Sequence, residues 1–489
     1  MNDNKTLHNR QIQPQEKKPT SDISLRSFLT VVIILVSLLA VSGMLSYLIP
    51  QGSFSYDENG VIITDSYVQG DVEGIALWRV LTAPVRVFAS EDAVTIIMIS
   101  VFLLIMSGVF HLMEKTNGTR VFIGRLIGHL ADKGAPVVCL CVLIFMLFGS
   151  FFGMFEELVT LLPLIIFFIL SMGMDTMTGL GACLLAACFG FSAAITNPFS
   201  VGLAAQVAGV GIQTGMWLRI VFFVLIYVTL CVFLMMHLKK IERDPTSSPT
   251  YEIDRQKRAE LGSFKDAEEH TPENDRIFRV FAIFFGLQAV VLILIASIRA
   301  ISSLAIPILA LDFLIGGIVA GLFVCERKRD VFRYIGQGAV AMLPAVAMIA
   351  LASSVKLVMT ESGIIGTIMH YVISLLDGKG KFVTILLVYL LILILQVFIG
   401  SASAKIMLVM PIVVPICASI GVSPAMVILA YCMADGFTDV ILPTNPVLLV
   451  GLSMANVPYS KWFKWTWKLQ LFVLALTVLI LLFAAGIGY

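Results

Sequence analysis

Apolar runs of roughly 17 to 25 residues, the length that crosses a hydrocarbon core in helical form, recur from Ser27 to the C-terminus. Each such run must satisfy its backbone polar groups internally, so the chain reads as an all-α polytopic membrane protein. A β-barrel would alternate instead. Of the 489 residues, 58% are hydrophobic and 13% charged, against about half apolar and a quarter charged in soluble proteins, which excludes a water-soluble enzyme. The formal net charge is +1, with no basic block interleaved with aromatics, so nucleic acid is not an expected partner. All eight cysteines lie in or at the ends of apolar segments, where a thiol acts as a small hydrophobe, and neither a disulfide framework nor a metal cluster is expected. Walker A, His-Glu-x-x-His and Gly-x-Ser-x-Gly patterns do not occur, so no catalytic residue and no cofactor is expected.

Residues 1–26 form a polar, basic tail, and the first apolar run (27–49) ends without a cleavage pattern, as an anchor does. Acidic residues alone populate the stretch to Gly74, whereas Lys115, Arg120, Arg125 and Lys133 follow the next span. The positive-inside bias then puts the N-terminus in the cytoplasm. Spans are expected near 27–49, 92–113, 277–297, 304–325, 337–358 and 465–488, with an amphipathic piece at 119–132. Trp217, Trp462, Trp465 and Trp467 fall at span ends, as interfacial belt residues do. The stretch 239–276 carries eight basic and ten acidic residues and reads as a solvated cytoplasmic linker between a first half, 27–238, and a second, 277–489.

The halves repeat. A shift of 248 positions lays Pro163 on Pro411, Ser171 on Ser419, Gly173 on Gly421, Phe189 on Phe437, and Thr196-Asn197-Pro198 on Thr444-Asn445-Pro446. An odd number of expected crossings separates the copies, which makes them inverted-topology repeats and points to alternating access. In each, an apolar arm (135–149; 382–399) reaches a polar break, Gly149-Ser150 to Glu156-Glu157 or Gly400 to Lys405, and a second arm (158–172; 406–420) returns. Arms of about 15 residues rise only about 22 Å, short of the roughly 30 Å core, so they are expected to be re-entrant hairpins with tips near the midplane. A helix broken at Thr-Asn-Pro follows each hairpin, its proline freeing backbone carbonyls. Those oxygens, with Ser/Thr hydroxyls and the Asn amides, are expected to hold sodium near Asn197 and Asn445. The half-helices starting at Phe199 and Val447 are expected to aim positive dipole ends at a carboxylate.

Intramembrane charges are few and mark pathways by default. Between Ala135 and Gly215 they are Glu156, Glu157 and Asp175; between Phe382 and Ser460 they are Lys405, Asp435 and Asp439. One of the adjacent glutamates is expected to serve the site while the other pairs with Lys405 or caps a half-helix. Asp435 and Asp439 are expected to line the approach to the second break, Asp175 to be interfacial, and Lys356 to snorkel. The candidate substrate- and ion-binding set is therefore Ser150, Gly153, Glu156, Glu157, Thr196, Asn197, Pro198, Gly400, Ser401, Ser403, Asp435, Asp439, Thr444, Asn445 and Pro446. Four acids against one lysine favour an amine-bearing solute over a dianion.

Gly153-Met154-Phe155-Glu156-Glu157, Ala194-Ile195-Thr196-Asn197-Pro198-Phe199, Asp435-Gly436-Phe437-Thr438 and Pro458-Tyr459-Ser460-Lys461-Trp462-Phe463-Lys464 resemble motifs of the YfcC-like and anaerobic dicarboxylate carrier (DcuC) family, within the ion-transporter superfamily. The resemblance covers almost the whole chain after residue 27. It implies a multi-pass transporter of the bacterial inner membrane, usually a homodimer, in which elements 135–210 and 382–457 form a transport domain that moves, elevator-fashion, against a scaffold. Relatives carry dicarboxylates or amino acids. One departure is Asp439, where an Asn-like residue is expected, and another is Thr444-Asn445-Pro446, where Thr-Ser-small is expected, so substrate charge or coupling ion is expected to differ. The preferred function is sodium- or proton-coupled symport or antiport of a small carboxylate-bearing solute, an amino acid first and a dicarboxylate second. An ion channel is the alternative of another class, disfavoured by the broken repeats.

Overall fold

The computed structural model describes residues 25–55, 66–91, 93–127, 134–261, 271–297, 304–376 and 378–489. Most of the expected tail, the end of the amphipathic piece and residues 262–270 of the linker lie outside these. Among the described residues seven helices are long and apolar enough to cross a membrane.

One group of helices comprises α1 (Leu25–Leu45), α2 (Leu77–Arg86), α3 (Ala93–Lys115), α4 (Gly118–Ile127), α11 (Pro272–Ser297), α12 (Ala305–Val324), α13 (Lys328–Ala341) and α14 (Leu343–Glu361). Packing of α3 on α12 and α13, and of α14 on α1 and α2, holds it together. Glycine permits the closest of these approaches: a Cβ on Gly338 would lie 2.5 Å from the Ser107 carbonyl oxygen, and one on Gly108 2.7 Å from that of Ile335. Ser107 Oγ donates to the Gly338 carbonyl at 2.8 Å across the same contact. Small residues at such crossings let backbones touch where no hydrophobic effect drives association. The span expected at 337–358 is thus two helices that meet at Met342, the first of them amphipathic.

The other group holds the repeated motifs. In the first copy α5 (Ala135–Leu147) continues as a π-turn (Phe148–Phe152), and a 3₁₀ turn (Glu157–Leu161) leads into α6 (Leu162–Ser171). Then come α7 (Thr176–Ser192) and α8 (Pro198–Val207). The second copy has α16 (Lys381–Gln396), α17 (Ala402–Ser419), α18 (Pro424–Ala434) and α19 (Pro446–Ala455). Helix ends recur 248 positions apart: Ser171 and Ser419, Thr176 and Pro424, Pro198 and Pro446, Val207 and Ala455. The causes recur with them. Gly173 and Gly421 both take a left-handed turn, with φ of 84° and 80°. Asp175 caps α7 by accepting from the Thr178 N–H at 2.9 Å, and Ser423 caps α18 by accepting from that of Met426 at 3.1 Å. The long helices α9 (Met216–Arg243) and α20 (Tyr459–Ile487) flank this group, α9 against α5 and α20 against α16.

Several expectations need correction. The linker is not a solvated loop throughout: α9 runs on to Arg243, and α10 (Tyr251–Leu261) docks on the turn between α6 and α7. Asp254 accepts from the Thr176 N–H at 3.1 Å and from Thr250 Oγ1 at 2.7 Å, while Lys257 Nζ donates to the Ala455 carbonyl at 2.7 Å. Asp175 is buried in the turn between α6 and α7, not exposed there, and besides capping α7 it accepts from Ser248 Oγ at 2.6 Å and bonds His237 Nε2 at 2.8 Å. Trp465 donates its indole N–H to His237 Nδ1 at 3.1 Å, which leaves Nε2 as the protonated nitrogen facing Asp175. Trp462 is likewise no belt residue; it is fully buried and its indole bonds the Val440 carbonyl at 2.5 Å.

Candidate functional site: a cavity between the two breaks

The first break is closed on itself. Beyond the π-turn the chain reverses at Gly153, φ 71°, where a Cβ would come 2.2 Å from Asn197 Oδ1. Glycine therefore lets the hairpin turn lie on the first Thr-Asn-Pro. Ser150 fastens the two: its carbonyl accepts the N–H groups of Ile195, Thr196 and Asn197 at 3.1, 3.2 and 3.0 Å, and its Oγ donates to the Ala193 carbonyl at 2.7 Å. Thr196 Oγ1 donates to the Phe151 carbonyl at 3.2 Å.

Both Thr-Asn-Pro motifs work as helix starts. Asn197 Oδ1 accepts from the N–H groups of Phe199 and Ser200 at 2.9 and 3.3 Å, and Asn445 Oδ1 from those of Val447 and Leu448 at 2.8 and 3.3 Å. Each proline occupies the first turn, where its missing N–H costs nothing. This changes the expected chemistry. The donors reserved for a ligand carboxylate are taken by the asparagines, and the asparagine oxygens expected to bind sodium face N–H donors. Carboxylates, backbone carbonyls and hydroxyls remain for a cation, and among the described residues no group of three or more His, Cys, Asp or Glu side chains could hold a metal ion.

The second break is shorter than the sequence suggests, because Ser401 caps α17 by accepting from the Ala404 N–H at 3.3 Å, so Ser403 and Lys405 already lie in its first turns. The ion pair of Lys405 is with Asp435. The lysine's fully buried ammonium meets Asp435 Oδ1 at 2.6 Å, and Asp435 is thereby withdrawn into an internal ion pair.

Between the breaks lies a cavity of about 340 Å³. Gly153 and Glu156 reach it from the first hairpin, and Gly400, Ser401 and Ser403 from the second. Asp439, Thr444, Asn445 and Pro446 complete its polar side. Ser150, Thr196, Asn197, Pro198 and Asp435 do not line it; they support the elements that do. Glu157 contributes backbone to a 3₁₀ turn, and its side chain lies outside the described residues. Asp439 accepts from the Gln396 amide and is bonded by the Asn445 side chain.

Positions that correspond under the repeat line the cavity in pairs: Gly153 with Ser401, Phe191 with Asp439, Phe199 with Val447. In two of these pairs the second copy presents the polar member, Ser401 and Asp439. Sequence reasoning missed Gln396, Ser353 and Lys356, all on the wall. For α14 the signal was present, since Ile349, Ala352, Ser353 and Lys356 follow the spacing of one helix face, and only the polarity of two of them distinguishes it from packing.

Several known proteins are similar to this chain. YfcC of Escherichia coli, to which basic amino acid antiport is ascribed, is 25% identical over 386 residues, covering 76% of this chain and 74% of that one. An uncharacterized Haemophilus influenzae protein is 27% identical over 377 residues, covering 76% and 72%. Among solved structures, the YdaH transporter of Alcanivorax borkumensis aligns with a TM-score of 0.41 and 18% identity over 94% of this chain and 98% of that one. Residues 28–486 match the family of C4-dicarboxylate anaerobic carriers, DcuC, and the chain belongs to that family of membrane transporters.

Proposed function

We propose that the protein is a secondary active transporter of an amino acid, working by exchange or by sodium- or proton-coupled symport. The cavity carries this reading: Glu156 and Asp439 share its wall with Lys356. Two anionic groups and one cationic group are the mirror of a basic amino acid, with its two cations and one carboxylate. The activity ascribed to YfcC agrees with that complement. A C4 dicarboxylate, which the family's description favours, would face two like charges and need bound cations to offset them; it is the second reading.

The recurrence of helix ends at one offset supports two repeats of opposite orientation, each with a re-entrant hairpin and a broken helix, the group α5–α8 with α16–α19 moving elevator-fashion past α1–α3 and α11–α14. The distribution of Lys and Arg supports an inner-membrane orientation with the N-terminus and the 239–276 linker cytoplasmic. Family resemblance supports a homodimer.

A thermal-shift screen of arginine, lysine, ornithine, succinate and fumarate, with and without sodium, tests the substrate, because a ligand of the folded state raises its stability by mass action. Stabilisation by basic amino acids alone is expected; stabilisation by the dicarboxylates alone would establish the second reading. Asp439→Asn and Glu156→Gln in proteoliposomes then separate coupling from binding. Lost gradient-driven accumulation with surviving exchange marks a coupling acid, and lost binding marks an amine-binding one.

A further inference from the structure

We propose that Tyr431 is a positioning residue of the cavity: through its phenol, α18 sets where the tip of the second hairpin stands, and with it one wall of the substrate site. The inference rests on the reading of the cavity as that site, and not on which solute fills it. Gly400, Ser401, Ala402 and Ser403 all border the cavity, at the turn from α16 into α17. Tyr431 lies behind that wall on α18, fully buried, and its phenol donates to the Ala402 carbonyl at 2.7 Å. One turn further along the same helix Asp435 accepts from Lys405 Nζ at 2.6 Å, and the phenol is also within hydrogen-bonding reach of that carboxylate. Positions 402 and 405 of the tip are thus gripped by side chains from the last turns of α18.

The first copy fastens its tip by other means. There the Ser150 carbonyl takes the N–H groups of Ile195, Thr196 and Asn197, a grip made of main chain. Under the 248-residue offset Tyr431 falls on Cys183 and Asp435 on Ala187, so the second tip is held by side chains of α18 that the first copy does not possess. A tip that strays in the free protein lowers the apparent affinity by the fraction still in place. One neutral hydrogen bond shifts such a balance by roughly two- to tenfold. Tyr431 therefore acts on binding through Ala402, without touching the solute.

The test pairs Tyr431→Phe with Tyr389→Phe. Tyr389 is likewise buried, and its phenol bonds Thr477 Oγ1 at 2.7 Å between α16 and α20, so the two variants lose the same kind of bond, one at the tip and one away from it. Affinities for arginine and for succinate are read from the concentration dependence of the melting temperature. The reaction of Ser403→Cys with a small thiol reagent is followed in a background without native cysteines. Without solute, both variants should melt lower than the parent by similar amounts. Tyr431→Phe should weaken whichever solute the parent binds by roughly two- to tenfold and speed the reaction of Ser403→Cys by a similar factor, while Tyr389→Phe leaves both at the parental level. Equal effects of the two substitutions on affinity and reactivity, or none from Tyr431→Phe, would overturn the proposal. Should the parent bind neither solute, both substrate readings fail by themselves, and the thiol reaction decides on the tip. A faster reaction in Tyr431→Phe alone upholds the role of the tyrosine there, and a parental rate removes it.

Discussion

Lys405 and Asp435 show how a single residue pair escapes sequence reasoning. Both were visible as intramembrane charges, with one of the adjacent glutamates expected to pair with Lys405 or to cap a half-helix; Lys405 is paired with Asp435. The pair joins α17 to the end of α18 within one copy. Removing one partner strands a charge with 0% or 1% exposure, so Lys405→Met or Asp435→Leu should each cost roughly 3–5 kcal/mol. The double variant should recover most of that, because two matched apolar side chains leave no orphan. Thermal unfolding of the purified protein reads all three, and a double variant no more stable than the singles would show that the pair serves more than its own neutralisation.

Among the elements, helix type and ends were legible where the determinants are local: apolar run length, glycine at 173 and 421, Asn-Pro at the half-helix starts. What a charged segment docks on was not legible, because α10 looks solvated until its turn with Thr176 is assembled. The Asp175 cluster at that place gives a pH signature. Burial pushes the Asp175 carboxyl up, but bonds from His237, Ser248 and Thr178 outweigh it and hold it below the usual carboxylate range. A lowered folded value means that its stabilisation is complete above the ordinary carboxylate pKa of about 4 and is lost as pH falls through the lower folded value. Asp175→Ala should therefore cost roughly 2–4 kcal/mol by orphaning buried donors, equally at pH 6 and 8, with the deficit shrinking only below pH of about 4. Asp254 behaves oppositely: burial pushes its carboxyl up against the bonds of Thr176 and Thr250 and the charge of Lys257. A parent–variant gap that widened on acidification would contradict the sign for Asp175. Where α5 meets α7 the constraint is steric, since a Cβ on Gly190 would lie 2.2 Å from the Met146 carbonyl oxygen. Backbone cannot rotate aside as a side chain does, so Gly190→Ala should cost roughly 1–3 kcal/mol by forced separation of the helices, read as a lower melting temperature.

At the scale of the whole molecule, the sequence disclosed a repeat but not its unequal use. Equivalent positions became Phe191 and Asp439, Gly153 and Ser401, so at these positions the first copy supplies apolar surface or none and the second supplies polar groups to a single cavity. Ser401 is the residue to follow, since it borders the cavity and caps α17 from the second hairpin. In a background with all eight native cysteines replaced, Ser401→Cys should react with an impermeant thiol reagent from one face at a time. Substrate gradients of opposite direction should exchange which face that is, as expected of two states whose populations a ligand shifts. Ser353→Cys on α14 should report the same alternation, because the cavity it borders opens and closes over it. Reaction of Ser401→Cys from both faces at once, at equal rates and without response to substrate, would mean a continuous pore, and the carrier reading would give way to a channel.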